Sequence, residues 1–194
     1  MSSSFIQHLT TRVSPPVHEL KEPGPSQSEI ELMIAAATRV PDHGRLAPWR
    51  FILFRGDARI RVGELLAELA ATREGPLSEG RRNQELARFS RAPLVIGVVS
   101  SPRANPKIPE WEMFLSGGAA AMNLVHAAHA LGYKANWITN WYSEVPEGRA
   151  ILGLAPDERV VGFVHIGTHK GEVIDRARPA FADVASDWRE PVEG

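Results

Sequence analysis

Residues 93–99 read PLVIGVV, a run with no polar side chain. A strand with one wet face alternates apolar and polar residues, so an unbroken run belongs to a strand covered on both faces. The covering layers must come from elsewhere in the chain, and helical periodicity supplies them. Residues 3–11 place Phe5, Ile6 and Leu9 on one helical face. Residues 26–38 repeat Ile30, Met33, Ile34 and Ala37 at helical spacing, with Ser28 and Glu31 as a capping-box pattern and Pro41 as the stop. Asp57 is placed to cap a helix whose Val62, Leu65, Leu66 and Leu69 share a face and which Gly75-Pro76 ends. A polar amphipathic segment follows over 78–90, then a long helix over 110–131 closed by Gly132, and a short one over 146–152. Strands are predicted at 49–54, 93–99, 134–139 and 159–166. Residues 101–109, with their prolines, read as a loop, and the tail after Gly171 as a polar segment without a compact element. Strands alternate with helices and no linker separates two cores, which predicts one domain over residues 1–194.

Composition removes several function classes. Lys and Arg number 22 against 23 Asp and Glu, a net charge of -1. That balance offers no global field for gripping nucleic acid or an anionic membrane. With no cysteine, disulfides, thiolate catalysis, Cys-ligated zinc and iron–sulfur clusters are excluded. The longest strongly apolar stretch, 92–99, is too short to span a bilayer. Residues 1–5 lack the basic and apolar runs of a secretory signal, so a cytoplasmic location is expected.

The chemistry-bearing residues are few. No GxGxxG follows a strand and no GxxxxGK[ST] is present, so a bound nucleotide would need side chains for its phosphate. Arg12 and Ser14, just past the first helix, could hold one phosphate through charge-assisted hydrogen bonds. Arg39, Arg176 and Arg178 are further candidates, although a single arginine is ordinarily a solvated surface residue. The segment 39–49, RVPDHGRLAPW, is a helix end, a tight loop and a strand start. Polar groups held there could line a planar ring system, with His43 donating to a ring nitrogen or carbonyl; loop capping is the plainer role for that histidine. Residues 116–121 and 127–130 of the long helix are rich in small side chains. Close approach of another helix and an Ala-rich core helix both account for that.

These motifs together resemble the FMN-dependent nitroreductase family, and within it the small bacterial NAD(P)H nitroreductases. The RxS at 12–14 is similar to the family's phosphate motif, and RVPDHGRLAPWRF at 39–51 to its R-A-P-D-H-x-x-x-Q-P-W loop. RAPLVIGVV at 91–99, KIPEWE at 107–112, LGY…NWIT at 131–139 and VVGFVHIGT at 160–168 continue the resemblance in order along nearly the whole chain. It implies an α+β, three-layer α/β/α fold with a mixed sheet flanked by helices. It also implies a homodimer in which both subunits build each FMN site, the long helix lies at the interface, and a C-terminal arm over about 172–194 embraces the partner. Arg12, Val13 and Ser14 would lie at the phosphate, Arg39 and His43 at the flavin or its ribityl chain, and Trp137, Ile138 and Thr139 along the isoalloxazine.

The chain departs from the pattern at four positions. Val13 replaces a second arginine, Ala47 stands where glutamine precedes Pro-Trp, Arg45 replaces a small or amide residue, and Ile138 replaces an arginine. Arg45, Arg176 or Arg178 could restore the missing charge. The resemblance implies hydride transfer from NADH or NADPH through FMN to a small acceptor such as a nitroaromatic or quinone, in ping-pong order. No side-chain acid or base is assigned, because the cofactor carries the chemistry and solvent can protonate the product. Alternatives are a flavin-binding protein without turnover, or a sibling reaction such as reductive dehalogenation or ene reduction. A metal centre on His126 and His129, or on His165 and His169, lacks a carboxylate at ligand spacing and is not expected.

Overall fold

The computed structural model describes residues 4–189. Ser3 of the predicted first helix and residues 190–194 of the expected arm lie outside the described residues. The elements in chain order are α1 (Ser4–Thr11), α2 (Gln27–Ala37), β1 (Trp49–Phe54), α3 (Asp57–Glu74), α4 (Glu79–Leu86) and β2 (Leu94–Ser100), then α5 (Glu110–Ala130), β3 (Lys134–Ile138), α6 (Pro146–Ile151), β4 (Arg159–Gly167) and α7 (Phe181–Val184). They fall into two compact units. One is Ser14–Gly171; the other combines the chain up to Val13 with the chain from Glu172 onward. The tail, expected to lack any element, carries the one-turn helix α7. Among the described residues no helix is long and apolar enough to cross a membrane.

Within the larger unit, four strands pair in the order β1-β2-β4-β3. Every pairing is antiparallel, so the α+β class and the three layers stand while the sheet, among the described residues, is antiparallel and not mixed. The connections explain this. Two helices, α3 and α4, join β1 to β2 and return the chain to the end it left, giving an antiparallel neighbour. The single long α5 joins β2 to β3 and runs back along the sheet, so those strands share a direction and β4 inserts between them. Alternation of strands and helices in sequence does not reveal whether one helix or two makes the return.

Apolar clusters fill both sides of the sheet, as the covered strand requires. All seven residues of β2 are buried. On one face Ile30 and Met33 of α2 and Leu124, Val125 and Ala128 of α5 pack on Ile96, Val98, Val164 and Ile166. On the other, Val62 and Leu66 of α3 pack with Phe54, Phe89, Tyr142 and Phe163. The small residues of α5 serve this packing: Ser116, Gly117, Ala120 and Ala121 are buried, and a Cβ on Gly117 would lie 2.8 Å from Val161 Cγ2.

Two helix starts differ from the sequence reading. The capping box of α2 uses Ser26 and Glu29, not Ser28 and Glu31. Both frames read S-x-x-E, but Ser26 holds the extended backbone a cap needs (φ -68°, ψ 166°) while Ser28 is already helical. Gly56, not Asp57, occupies the cap of α3, at φ 55°; Asp57 is the first helical residue, where its charge still favours the helix N-terminus.

Candidate functional site

The segment between α2 and β1 is an ordered and strained loop. Gly44 (φ 73°), Arg45 (φ 55°) and Ala47 (φ 46°) are all left-handed, which costs a residue with a Cβ of the order of 1 kcal/mol. Asp42 holds that shape. Its carboxylate accepts from the Leu46 N–H at 3.0 Å and the Ala47 N–H at 2.9 Å. Such strain persists only where the surroundings over-determine the backbone, and here α5 does so.

Three polar residues on α5 clamp the loop. Asn123 Nδ2 donates to the carbonyls of Arg39 (3.1 Å) and Ala36 (3.3 Å), satisfying acceptors at the end of α2. Ser116 Oγ donates to the Pro41 carbonyl at 2.7 Å and accepts from Trp49 Nε1 at 2.9 Å. Glu112 Oε2 lies 2.7 Å from His43 Nδ1. Pro41, His43, Glu112, Leu115, Ser116 and Ala119 line an open cleft of about 290 Å³ between loop and helix. Arg39, His43, Arg45 and Ala47 are exposed.

Trp137, Ile138 and Thr139 lie at the end of edge strand β3, with Thr139 one residue past it. Trp137 lies two residues from the core-facing Ala135 and so on the same face as α2 and α5. Its Nε1 donates to the Val161 carbonyl at 3.3 Å, and its indole lies against Gly162, where a Cβ would sit 1.8 Å from Nε1. Only glycine admits that contact, and the ring stays 37% exposed as an apolar wall. Asn136 Nδ2 donates to the Pro15 carbonyl at 2.7 Å, which brings the Ser14–Pro16 stretch against the same strand. The expected residues of this unit are therefore held by two supports: α5 carries Arg39, His43 and Arg45, and β3 carries Ser14, Trp137, Ile138 and Thr139.

Arg12 and Val13 belong to the terminal unit. Partial burial lowers the Arg12 guanidinium pKa, and the positive charges of Arg178 and Arg176 lower it further against an opposing effect of Asp175. Three arginines thus crowd one another, an arrangement that an anion relieves.

Other charged groups are structural. Glu158 takes a bidentate pair from Arg50 at 2.6 Å on each oxygen, together with the Ala155 N–H at 2.9 Å. The Arg50 hydrogen bonds hold its carboxyl down at about 2. Glu85 is fully buried beneath Arg81, Arg88 and Trp141 Nε1. Burial alone would raise its carboxyl, but hydrogen bonds from Arg88 and Arg81 outweigh that and hold it low. The histidines weighed as metal ligands are placed otherwise: His129 Nδ1 lies 2.9 Å from the Val125 carbonyl, His169 Nε2 lies 2.8 Å from Glu19, and His165 is fully buried beside Phe89.

Sequence reading missed Glu112, Ser116, Asn123 and Gly162 as parts of this arrangement. A signal for the first three existed: polar side chains at 112, 116 and 123 recur on one face of a helix rich in small and apolar residues.

The comparisons with known proteins fit this construction. YdjA of Escherichia coli strain K12, named "Putative NAD(P)H nitroreductase", is 33% identical over 151 residues, spanning 77% of this chain and 80% of the relative. The nitroreductase-like family protein from Bacillus cereus superposes with a TM-score of 0.79 at 20% identity, over 100% of this chain and 98% of the other. A nitroreductase with bound FMN from Bacteroides fragilis gives 0.70 at 18% identity, over 97% and 100%. Residues 20–168, which hold the whole sheet, the clamped loop and α5, match the nitroreductase family. The chain is a member of the nitroreductase family.

Proposed function

We propose that this protein is an FMN-dependent oxidoreductase that passes hydride from NADH or NADPH to a small acceptor, nitroaromatic, quinone or similar. Family membership supports the class. The observation that carries the reading is the strained loop at 39–48, fixed to α5 through Asp42, Glu112, Ser116 and Asn123 with its polar side chains left exposed. A loop held in costly geometry while presenting Arg39, His43 and Arg45 is suited to binding rather than to packing.

FMN demands a flat wall, a few hydrogen-bonding groups at its ring and fixed cations for its phosphate, and the residues present fit that demand. The Trp137 indole against Gly162 offers the wall. His43 and Arg39 offer the polar groups, with Ile138 and Thr139 lining the ring beside Trp137. Arg12, Val13 and Ser14 take the phosphate end, and the crowding of Arg12 by Arg176 and Arg178 supports those two as the replacement for the charge lost at Val13. Bound FMN supplies the hydride chemistry. The protein's residues bind and orient it, exclude water from one side and leave a shallow cleft where the nicotinamide and the acceptor are taken in turn, a ping-pong order. The site is completed by pairing of two protomers. The exposed Trp111 and Leu115 on α5, and Ile174, Phe181 and Trp188 in the terminal unit, are the apolar surfaces that support a homodimer. A cytoplasmic location belongs to the same reading.

The test is an absorption spectrum of purified protein reconstituted with FMN, followed by anaerobic titration with NADH and NADPH. Stoichiometric flavin binding and bleaching by one nicotinamide are expected. A protein that binds no flavin, or binds it and is bleached by neither, overturns the reading. Arg12→Ala weakens FMN retention on this reading, and unchanged affinity would remove the phosphate assignment.

A further inference from the structure

His43 presents two ring nitrogens, and one of them is committed. Its Nδ1 lies 2.7 Å from Glu112 Oε2, across 69 residues of sequence. A carboxylate only accepts hydrogen bonds, so Nδ1 carries the proton. The pair is not a loose surface contact. Glu112 sits one turn before Ser116, which fixes the Pro41 carbonyl two residues before His43. Asp42, the residue preceding His43, is tied into the loop backbone by two further hydrogen bonds. The Glu112 side chain is 31% exposed and the His43 side chain 63%, so the half-buried carboxylate serves as the fixed partner while the ring projects outward along the cleft.

We infer that Glu112 is the positioning residue for His43: it fixes a proton on Nδ1, so that in its neutral form the imidazole offers Nε2 as a bare acceptor to the bound flavin. The inference rests on the proposed contact between His43 and FMN and changes its chemistry. A neutral ring protonated at Nδ1 cannot donate from Nε2. For the neutral ring the group recognised is therefore a hydrogen donor, the flavin N3–H or a ribityl hydroxyl, and not a ring carbonyl or unprotonated ring nitrogen. A free histidine side chain favours the opposite tautomer, so the Glu112 contact selects the form that recognition uses. Loss of one hydrogen bond to a ligand changes affinity by roughly 2- to 10-fold.

The experiment uses full-length protein, FMN-free and FMN-loaded, labelled with 15N at the histidine rings. Spectra are recorded at a pH where the rings are neutral, and His43→Gln identifies the His43 signals among the seven histidines. The expected wild-type result is a protonated Nδ1 and a bare Nε2. Glu112→Gln keeps that pattern, because its amide oxygen still accepts from Nδ1–H, and keeps FMN affinity near wild type. Glu112→Ala moves the proton to Nε2 and raises the FMN dissociation constant roughly 2- to 10-fold. A wild-type ring protonated at Nε2, or a tautomer that Glu112→Ala leaves unchanged, overturns the inference without any reference to flavin. Weaker FMN binding in His43→Gln with none in Glu112→Ala overturns the positioning role alone and leaves the His43 contact standing. Unchanged affinity in both variants removes the contact itself, and the positioning role with it.

Discussion

The two faces of the sheet use polar residues in opposite ways. On the α3–α4 side, charge is sealed in. Glu85 has no exposed surface and is met by Arg81, Arg88 and Trp141, while Phe89, Tyr142 and Phe163 pack on one another in tilted and edge-to-face contacts with ring centroids 5.2 to 5.7 Å apart. On the α2–α5 side the polar groups bond on one side only. Asn123, Ser116 and Glu112 spend their hydrogen bonds holding a loop, and that loop leaves Arg39, His43 and Arg45 facing out. A buried carboxylate that is fully satisfied has nothing left to offer a ligand, whereas an exposed side chain on a rigid backbone does. On the proposed reading, that difference separates stability from binding.

The comparison can be broken most decisively at Glu85. Glu85→Ala strands the largely buried Arg88 and leaves Arg81 with Glu74 alone, a loss of about 3–5 kcal/mol. Denaturant unfolding measures it, and FMN affinity of the remaining folded protein should be unchanged. Weak flavin binding with full stability would reverse the roles of the two faces.

Acid provides a second test on the aromatic side. Burial, with a smaller effect of the Arg91 charge, pushes His165 down to about 3. Below the ordinary histidine pKa of about 6.5 the unfolded chain takes up a proton that the folded chain refuses. Stability from this group is therefore complete above about pH 6.5 and falls as pH drops toward 3, by about 1.4 kcal/mol per unit. His165→Leu should flatten the unfolding free energy across that window. An unchanged slope would mean that the ring is not held neutral.

Gly162→Ala probes the other face. The added carbon would sit 1.8 Å from the Trp137 indole nitrogen, so the ring must leave its place at a cost of about 1–3 kcal/mol. Red-shifted tryptophan emission together with weaker FMN binding is expected. Displaced emission with full FMN affinity would remove Trp137 from the flavin wall. The smallest effect is expected at Ala47, whose φ of 46° strains a residue with a Cβ. Ala47→Gly relieves that strain but adds freedom to the unfolded chain, for a net gain of about 0.5 kcal/mol. A fall in melting temperature would show that the strain at Ala47 is smaller than the freedom glycine adds to the unfolded chain.

Much of this protein was legible one segment at a time. β1 is predicted at its observed limits, the apolar run at 93–99 marks the strand buried on both faces, and the aliphatic spacing of α2 and α3 marks their inner sides. The loop at 39–48 stands out through its Pro, Asp and Gly content. The cap of α2 was misjudged because two overlapping S-x-x-E frames are equal as sequence and differ only in backbone angle. The arrangement of the site was not legible, because its supports come from distant positions.

Local sequence determined where the chain could be helix or strand and which segments had to lie under cover, because periodicity and turn chemistry act over a few residues. Tertiary structure alone decided that the strands pair antiparallel and that Glu112 meets His43. It also decided that Trp137 rests on Gly162, since each is a contact between residues brought together only when α5 and β4 dock. Which charged residues were sealed in and which were left exposed was likewise decided there, by packing.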